Sequence, residues 1–422
     1  MYNKVAEQIK NISAPIHEKV VSKFNKIDFD QIDVEGVWEV IYLIMLAFYV
    51  GVNVLTSTMF EIAWPAYFFQ TFRSVCVTLV IIRLIIIKEI PKKKFIAMVV
   101  ISFVFLMSHY MSGYGLPIDL LILVLGAYNV DFRKILKTYI AVWSVLLVIT
   151  IIGAMTGLAE NLVYYQGEGG ERVRMALGMN YPTDLAAYVA FLMFAYVCVR
   201  DEYITYLEIG VMAVLAVAVY YITDARTDFI IMLMVTIVVM TVKVHIIKFG
   251  EHRLLSKIIV FEPFILGALI CLITYNYTAQ NSSLEYIDIN VLSNRLMLGK
   301  QAFEEYGIRM FGQCVIENGY GGSLILTAPY FFIDSSYVSI LVKYGAITIM
   351  VVLTMNSICI YRMIHKEQVM MLVIVIVISI QSVMEHHYIQ YWYNPFILLF
   401  FSKYYNEKKV RKNDKELVIN LN

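Results

Sequence analysis

Apolar runs about as long as the hydrocarbon core of a membrane recur along almost the whole chain. A spanning helix needs about 20 mainly apolar residues, within a range of roughly 17–25. Lipid is the solvent that accommodates so many runs, because one soluble core would not bury them. The pattern predicts an all-α, polytopic integral membrane protein with about twelve transmembrane helices. The predicted spans are residues 37–57, 66–87, 95–110, 115–129, 135–156, 180–199, 204–222, 227–247, 257–275, 336–361, 368–385 and 389–403.

The amino-acid composition agrees with this membrane class and excludes several others. The chain has 422 residues, of which 60% are hydrophobic and 16% are charged, whereas soluble domains carry about 25% charged residues. A net charge of +1 gives no strong field for nucleic acid. The sequence contains no P-loop, HExxH, dinucleotide fingerprint or CxxC pattern, and we expect neither a cofactor nor a metal.

Lysine and arginine fall in alternate connections between the predicted spans. Residues 88–94 carry four lysines, whereas the connections 58–65 and 111–114 carry neither basic residue. The positive-inside rule therefore places both termini in the cytoplasm. The predicted domains are a cytoplasmic N-terminal segment, a polytopic membrane domain with two long outer loops, and a basic cytoplasmic tail. These correspond to residues 1–36, 37–403 with outer loops 157–179 and 276–335, and 404–422.

The first outer loop combines arginine with glycine. Arg172 and Arg174 lie in a glycine-rich stretch that is closed by Asn180. Planar guanidinium groups grip phosphate with paired donors, so this stretch predicts a phosphate site. The alternative is a solvated loop in which the arginines pair with Glu168 and Glu171.

Two further arginines lie on the predicted outer face. Arg226 follows Asp224 in a short turn between apolar runs, where a charge is costly unless it is paired or faces water. The turn predicts either an anionic ligand or a structural Asp–Arg pair. Arg295 lies in the amphipathic segment 290–306, which we expect to form a helix on the outer surface. Surface charge on that helix is the alternative for Arg295.

Two acidic positions accompany these arginines near late spans. Asp334 and Tyr337 precede the tenth span, where the carboxylate is suited to orient a sugar hydroxyl, to act as a base, or to cap the helix. Glu385 and His386 follow the eleventh span. Adjacent histidines point in different directions on a helix and no further ligand is evident, so we expect a substrate contact or a solvated turn rather than a metal site.

Together these elements resemble the Wzy-type polymerases of O-antigen and capsular polysaccharide, which are relatives of the O-antigen ligases. The stretch from Arg172 to Asn180 looks like the Arg/Gly/Asn element of that family, and residues 223–227 look like its "(S/T)xxR(S/T)" turn. Arg295 followed by Phe311 and Gly312 is similar to its "R…FG.G" outer helix.

The last family element in chain order begins at an aspartate. The stretch Asp334 to Tyr337, followed by Gly345, resembles the "(H/D)(N/S)xY…G" entry to a late span. The ligases have histidine at the position of Asp334, so the aspartate favours a polymerase. The glycines at 319–322 depart from the family spacing.

The resemblance implies a metal-independent glycosyltransferase of GT-C-like architecture in the cytoplasmic (inner) membrane of a bacterium. Its reaction transfers a growing glycan from one undecaprenyl-pyrophosphate carrier to a sugar on a second carrier-linked repeat unit. The implied partners are these lipid-linked oligosaccharides, membrane lipid, a chain-length regulator and a flippase. The implied catalytic residues are Asp334, Glu385, Arg226 and Arg295, and the implied pyrophosphate- or glycan-binding residues are Arg172, Arg174, Asn180, Asp224, Tyr337 and His386.

A structural or scaffolding membrane protein, in which single outer arginines would have no effect, is one alternative, and two other functions also stay open at this point. One is a ligase-like lipid-sugar transferase, which would use a similar outer-face site. The other is a transporter of lipid-linked oligosaccharide, which would carry its functional charges inside the spans along a central path.

Overall fold

The computed structural model describes residues 33–87, 89–166, 170–244, 253–326 and 328–404. The chain divides into a unit of residues 1–41 and a unit of residues 42–422, and the second unit contains every candidate site residue. Most of the predicted N-terminal segment and nearly all of the predicted tail, residues 1–32 and 405–422, lie outside the described residues.

The described fold is almost entirely helical. In chain order the helices are α1 Val34–Thr56, α2 Phe68–Ile86, α3 Lys92–Ser112, α4 Leu116–Gly126, α5 Phe132–Thr156, α6 Pro182–Arg200, α7 Tyr206–Thr223, α8 Arg226–Lys243, α9 Arg253–Tyr275, α10 Ser282–Asn290, α11 Arg295–Tyr306, α12 Ala346–His365 and α13 Val369–Gln381. One hairpin in the first outer loop pairs β1 (Val163–Gln166) antiparallel with β2 (Arg172–Met175).

Eight helices in the described part of the chain are long and apolar enough to cross a membrane. They are α1, α2, α3, α5, α6, α7, α9 and α12. The protein buries 72% of the apolar stretch of α6 but only 17% of that of α2. Helix α6 is therefore central, while α2 presents most of its apolar surface outward, as a lipid-facing helix does. The prediction of an all-α, multi-pass membrane protein is confirmed at this level.

Three other predicted spans match helices that are shorter or more polar. The spans predicted at 115–129 and 368–385 are α4, with 11 residues, and α13, with 13 residues. Helix α8 has 18 residues and includes Arg226, Asp228 and Lys243. Apolar residues on these helices are buried against the protein, which explains why short apolar runs read as spans in the sequence.

The prediction of a transmembrane helix over 389–403 is wrong. This segment contains only a six-residue 3₁₀ helix, Pro395–Phe400. The irregular backbone before it is buried, and its carbonyls are satisfied by side chains. Tyr139 donates to the Tyr391 carbonyl at 2.7 Å and Trp143 donates to the Trp392 carbonyl at 3.0 Å. Irregular backbone is tolerated at membrane depth when protein groups replace water in this way.

The amphipathic segment of the long outer loop is helical only from Arg295 onward. Ser293 and Asn294 have positive φ angles of 54° and 65°, and this turn separates α10 from α11. The fully buried carboxylate of Asp288 accepts the amide hydrogens of Leu296 at 2.8 Å and Met297 at 2.9 Å. Asp288 therefore satisfies the free N–H groups of the first turn of α11 and fixes the position of Arg295.

The predicted span 336–361 is broken at its outer end. A single helical turn, Ser336–Ser339, runs into a π-helix, Ile340–Tyr344, and α12 begins after Gly345. The carbonyls of Arg309 and Met310 accept the amide hydrogens of Ala346 and Ile347 at 2.9 and 3.0 Å. The long outer loop therefore supplies the hydrogen-bond acceptors that the broken helix lacks.

Two glycines make this docking possible. Gly312 has φ 92° and Gly345 has φ 98°, a region that favours glycine. A Cβ atom on Gly312 would overlap the carbonyl oxygen of Lys343, and one on Gly345 would overlap the Gly312 nitrogen. The glycines of the "FG" and late-span elements are thus explained by close backbone packing.

Candidate functional site

Arg295 lies between two carboxylates that the sequence places far apart. Its Nη2 atom is 3.1 Å from Glu385 Oε1, and its Nε atom is 3.7 Å from Asp334 Oδ2. The side chains of Arg295, Asp334 and Glu385 are 14%, 19% and 4% exposed. We call these three residues the carboxylate cluster. The structure thus brings together three of the four predicted catalytic residues, and Arg295 is more than surface charge.

Ser336 joins the two segments that carry the acids. Its hydroxyl donates to the Glu385 carbonyl at 2.5 Å and accepts the Tyr388 amide at 3.1 Å. Its own amide donates to the Ser382 carbonyl at 3.0 Å. The N-cap position of the turn is Ser335, and no side chain caps that turn. Asp334 therefore does not cap this helical turn, and that alternative is wrong.

Burial and charge set the protonation of this cluster. Glu385 lies beyond the end of α13, where burial raises its pKa to about 7, with Arg295 acting in the opposite direction. Burial also raises the pKa of Asp334, and Arg295 again opposes the effect. For Arg295 itself, burial lowers the pKa, but Glu385 and Asp334 more than offset that effect and the net change is upward. The cluster therefore combines a permanent cation with an acid that titrates near neutrality.

A second buried ion pair, which the sequence analysis did not assign to the site, lies beside Asp334. Lys343, which is 8% exposed, forms an ion pair with Glu317 and lies 5.5 Å from the centre of the Phe332 ring. Glu317 also accepts the amide of Ile333 at 3.0 Å. A lysine within a predicted span was the available signal, because such a charge is rarely left without a role.

A second group of residues surrounds β2, and we call Arg172, Arg174 and Asp224 the arginine cluster. Arg172 Nε donates to Asp224 Oδ2 at 2.5 Å, so Arg172 pairs with the α7–α8 turn. Arg174 Nε donates to the Thr223 carbonyl at 2.9 Å, and its guanidinium lies 5.3 Å from the centre of the Tyr181 ring. Alternate residues of a strand share a face, which explains why both arginines reach this turn.

The partner of Asp224 decides between the alternatives for this turn. Asp224 binds Arg172 and not Arg226, so the predicted Asp–Arg pair within the turn is wrong. Arg226, the first residue of α8, is exposed and makes no ion pair or hydrogen bond within the described residues. The proposed pairing of Arg172 with a loop glutamate is also wrong as far as Glu171 is concerned, and Glu168 lies outside the described residues.

Asn180 holds parts of the outer face together. Its amide and side chain donate to the carbonyls of Ser57, at 2.9 Å, and Thr56, at 3.1 Å. Its carbonyl accepts the amide of Gly322 at 3.1 Å. Asn180 therefore ties the first outer loop to the end of α1 and to the long outer loop.

Tyr337 is not a surface for substrate. Its side chain is fully buried, and its hydroxyl donates to the Ser379 carbonyl at 3.0 Å. The assignment of Tyr337 as a substrate-binding residue is therefore corrected to a packing role. The "(H/D)(N/S)xY" element resembles a site motif, but only its aspartate, Asp334, belongs to the carboxylate cluster.

His386 packs on Phe332 with ring centres 5.0 Å apart, and its Nδ1 atom is buried without a hydrogen-bond partner. Burial, His387 and nearby cations lower its pKa well below the usual range, so the ring is neutral. Glu385, His386 and His387 each offer a ligand atom within 4.8 Å of the others. However, Glu385 already binds the Arg295 cation, which would repel a metal ion.

Tyrosines line the region between the two clusters. Tyr164, Tyr181 and Tyr320 are in mutual ring contact, and Tyr330 continues the row 5.7 Å from Tyr320. Asp334, Tyr181 and Arg295 all affect the pKa of Tyr330, which burial raises. Arg174 also acts electrostatically on Glu385. The arginine and carboxylate clusters are therefore two parts of one candidate site.

Chemically, this site combines arginines suited to phosphate with an acid able to take up a proton at neutral pH. Searches for related proteins found no match to any family model, curated protein or solved structure. The geometry of the site, rather than similarity to a known protein, therefore carries the functional argument.

Proposed function

We propose that the protein is a polymerase of lipid-linked oligosaccharide repeat units that acts at the outer face of the cytoplasmic membrane. The observation that carries this proposal is the carboxylate cluster, in which Glu385 and Asp334 lie on either side of Arg295. Glycosyl transfer to a sugar hydroxyl needs a base near neutral pKa and cations that stabilise the departing pyrophosphate. The resemblance to Wzy-type polymerases adds the substrate class.

In the proposed reaction, Glu385 accepts the proton of the acceptor hydroxyl as that oxygen bonds to the anomeric carbon of the donor glycan. The bond between that carbon and the pyrophosphate oxygen breaks, and undecaprenyl pyrophosphate leaves with the electron pair. We assign the base to Glu385 rather than Asp334 because Glu385 is the more deeply buried acid, and burial raises its pKa to about 7 despite the neighbouring Arg295. Asp334 then orients the acceptor.

The arginines take different parts in this scheme. Arg226 is the exposed arginine without a protein partner in the described turn, so it is free to bind pyrophosphate. Arg172 and Arg174 bind the same group from β2, once pyrophosphate competes with Asp224 for Arg172. Arg295 remains with the acids and stabilises charge that develops as the proton moves.

The finer expectations belong to the same proposal. They are cytoplasmic termini, the GT-C-like architecture, and association with a flippase and a chain-length regulator. The eight long apolar helices support the membrane part of this proposal.

A glycan gel from a host that lacks the gene tests the proposal. Wild type should restore a polymer ladder, whereas Arg226→Ala and Arg295→Ala should leave single repeat units. Arg309→Ala is the matched control, because Arg309 is also an exposed arginine of the outer face and lies outside both clusters. A full ladder from both Arg226→Ala and Arg295→Ala would refute the proposal.

A transporter of lipid-linked oligosaccharide is the second candidate, and partly or fully buried charges within helices favour it. Arg73 of α2 forms a two-bonded ion pair with Asp119 of α4 at 2.7 and 3.0 Å. Asp184 of α6 accepts the Tyr393 hydroxyl at 2.9 Å. A transporter requires such charges along a central path. In that case the deletion strain would accumulate unexported lipid-linked units instead of exported single units.

A further inference from the structure

Beneath the carboxylate cluster, a carboxyl group and an amide face each other in a way that the polymerase scheme does not use. Asp228, in the first turn of α8, is 1% exposed, and Gln381, the last residue of α13, is 2% exposed. Gln381 Nε2 donates to Asp228 Oδ1 at 2.9 Å. The remaining oxygens of the two groups, Asp228 Oδ2 and Gln381 Oε1, are both buried and have no hydrogen-bond donor.

If Asp228 were ionised, two buried oxygen atoms, Asp228 Oδ2 and Gln381 Oε1, would lack a hydrogen-bond donor. A carboxylate and an amide oxygen are both acceptors, and burying each of them without a donor is unfavourable, most of all for a charged group. A single proton on Asp228 Oδ2 supplies the missing donor for Gln381 Oε1. A hydrogen bond from that proton to Gln381 Oε1 would join the observed one from Gln381 Nε2, as in a carboxylic acid paired with an amide.

The surrounding charges lead to the same conclusion. Within the described residues, no cation lies within ion-pair distance of Asp228. The charged groups that act on it are Glu385, Asp184 and Arg295, and two of these are themselves acids. Arg295 is already contacted by Glu385 and Asp334. A third ionised carboxylate there would be an uncompensated buried charge, which proteins avoid by neutralising the group.

We propose that Asp228 and Gln381 form a neutral acid–amide pair that holds a proton and positions Glu385. The position follows from the chain: the Glu385 amide donates to the Gln381 carbonyl at 2.9 Å, so Glu385 lies one helical turn beyond the pair. By fixing the end of α13 to the start of α8, the pair sets where the Glu385 carboxylate meets Arg295. Asp228 is a positioning residue and does not contact the substrate.

Infrared difference spectroscopy of the full chain in lipid vesicles tests this proposal and does not depend on any enzymatic activity. At neutral pH, subtracting the spectrum of Asp228→Asn from that of wild type should reveal the C=O stretch of a protonated carboxylic acid. Glu317→Gln is the matched control. Glu317 is ion-paired with Lys343, so its subtraction should reveal an ionised carboxylate instead. A carboxylate band in the Asp228→Asn difference would overturn the proposal.

A second variant tests the pairing and covers the case in which Asp228→Asn does not fold. Gln381→Leu removes the N–H that donates to Asp228 Oδ1, so the acid C=O stretch should move to higher frequency. An unchanged band in Gln381→Leu would overturn the pairing. The same spectra follow the titration of Glu385. If Asp228 is neutral in wild type, Asp228→Asn should leave the pKa of Glu385 unchanged. If Asp228 is ionised, its removal would lower the pKa of Glu385, and that result would refute the proposal.

Discussion

The pH dependence of stability offers the sharpest test of the electrostatics around Glu385. Burial raises the pKa of this carboxyl from 4.5 to about 7 in the folded protein, even with Arg295 beside it. At about 1.4 kcal/mol for each pH unit of difference, this rise corresponds to roughly 3 kcal/mol. A raised folded-state pKa in an acid means that the folded protein retains its proton longer than the unfolded chain does.

The sign of the effect follows directly. Below about pH 4.5 the carboxyl is protonated in both states and contributes its full stabilisation. Between about pH 4.5 and 7 the unfolded chain releases its proton first, so the free energy of unfolding falls by about 3 kcal/mol. Glu385→Gln cannot titrate, and it keeps an oxygen that accepts from Arg295. The variant should therefore gain about 3 kcal/mol relative to wild type over this range, because the other titrating groups are common to both proteins.

The assay is the free energy of unfolding in detergent micelles, measured across this pH range for both proteins. Glu171→Gln is a suitable control, since Glu171 is exposed and lies in the same outer face. The control should run parallel to wild type. If the Glu385→Gln curve also runs parallel to wild type, then Glu385 has an ordinary pKa in the folded protein, and the reasoning about burial and the base is wrong.

Three further changes have outcomes that the structure defines. Gly312→Ala would force a Cβ atom into the Lys343 carbonyl and should cost about 3 kcal/mol or more in thermal unfolding, whereas Gly321→Ala, which meets nothing within 4 Å, should be close to neutral. Lys343→Met leaves Glu317 without its partner and should lower the free energy of unfolding by about 3–5 kcal/mol. Lys300→Met should lower it by less than about 1 kcal/mol, because its partner Glu304 is 65% exposed. Asp224→Asn weakens the hold on Arg172 and should leave the melting temperature within a few degrees of wild type, while a large fall would show that the pair supports the fold.

Hydrophobic patterning found most of the membrane helices, because lipid-facing helices are apolar over their whole length. The pattern could not distinguish a span from buried irregular backbone. Residues 389–403 are apolar and aromatic, but their carbonyls are bound by Tyr139 and Trp143 from α5. These contacts join residues 252 and 249 positions apart in the chain, so the sequence of the segment itself does not indicate them.

The sequence indicated which residues belong to the site, but not which of them contact one another. Arg295, Asp334 and Glu385 were singled out separately, and only the fold shows that they form one cluster. Asp228 and Lys343 were overlooked as site residues, because one charge inside an apolar run does not reveal its partner. Tyr337 was overvalued, since a tyrosine near a span end has the same sequence signature whether its ring faces outward or packs inward.

The two clusters are close enough electrostatically for substrate binding to affect the base. Arg295 and, more weakly, Arg174 lower the pKa of Glu385. A pyrophosphate bound at Arg174 would offset the positive charge of that arginine and so remove part of that lowering effect. The pKa of Glu385 would then rise when the donor binds, which makes the carboxylate a stronger base in the loaded site than in the empty one. In the proposed polymerase, this coupling delays proton removal from the acceptor until the leaving group is in place.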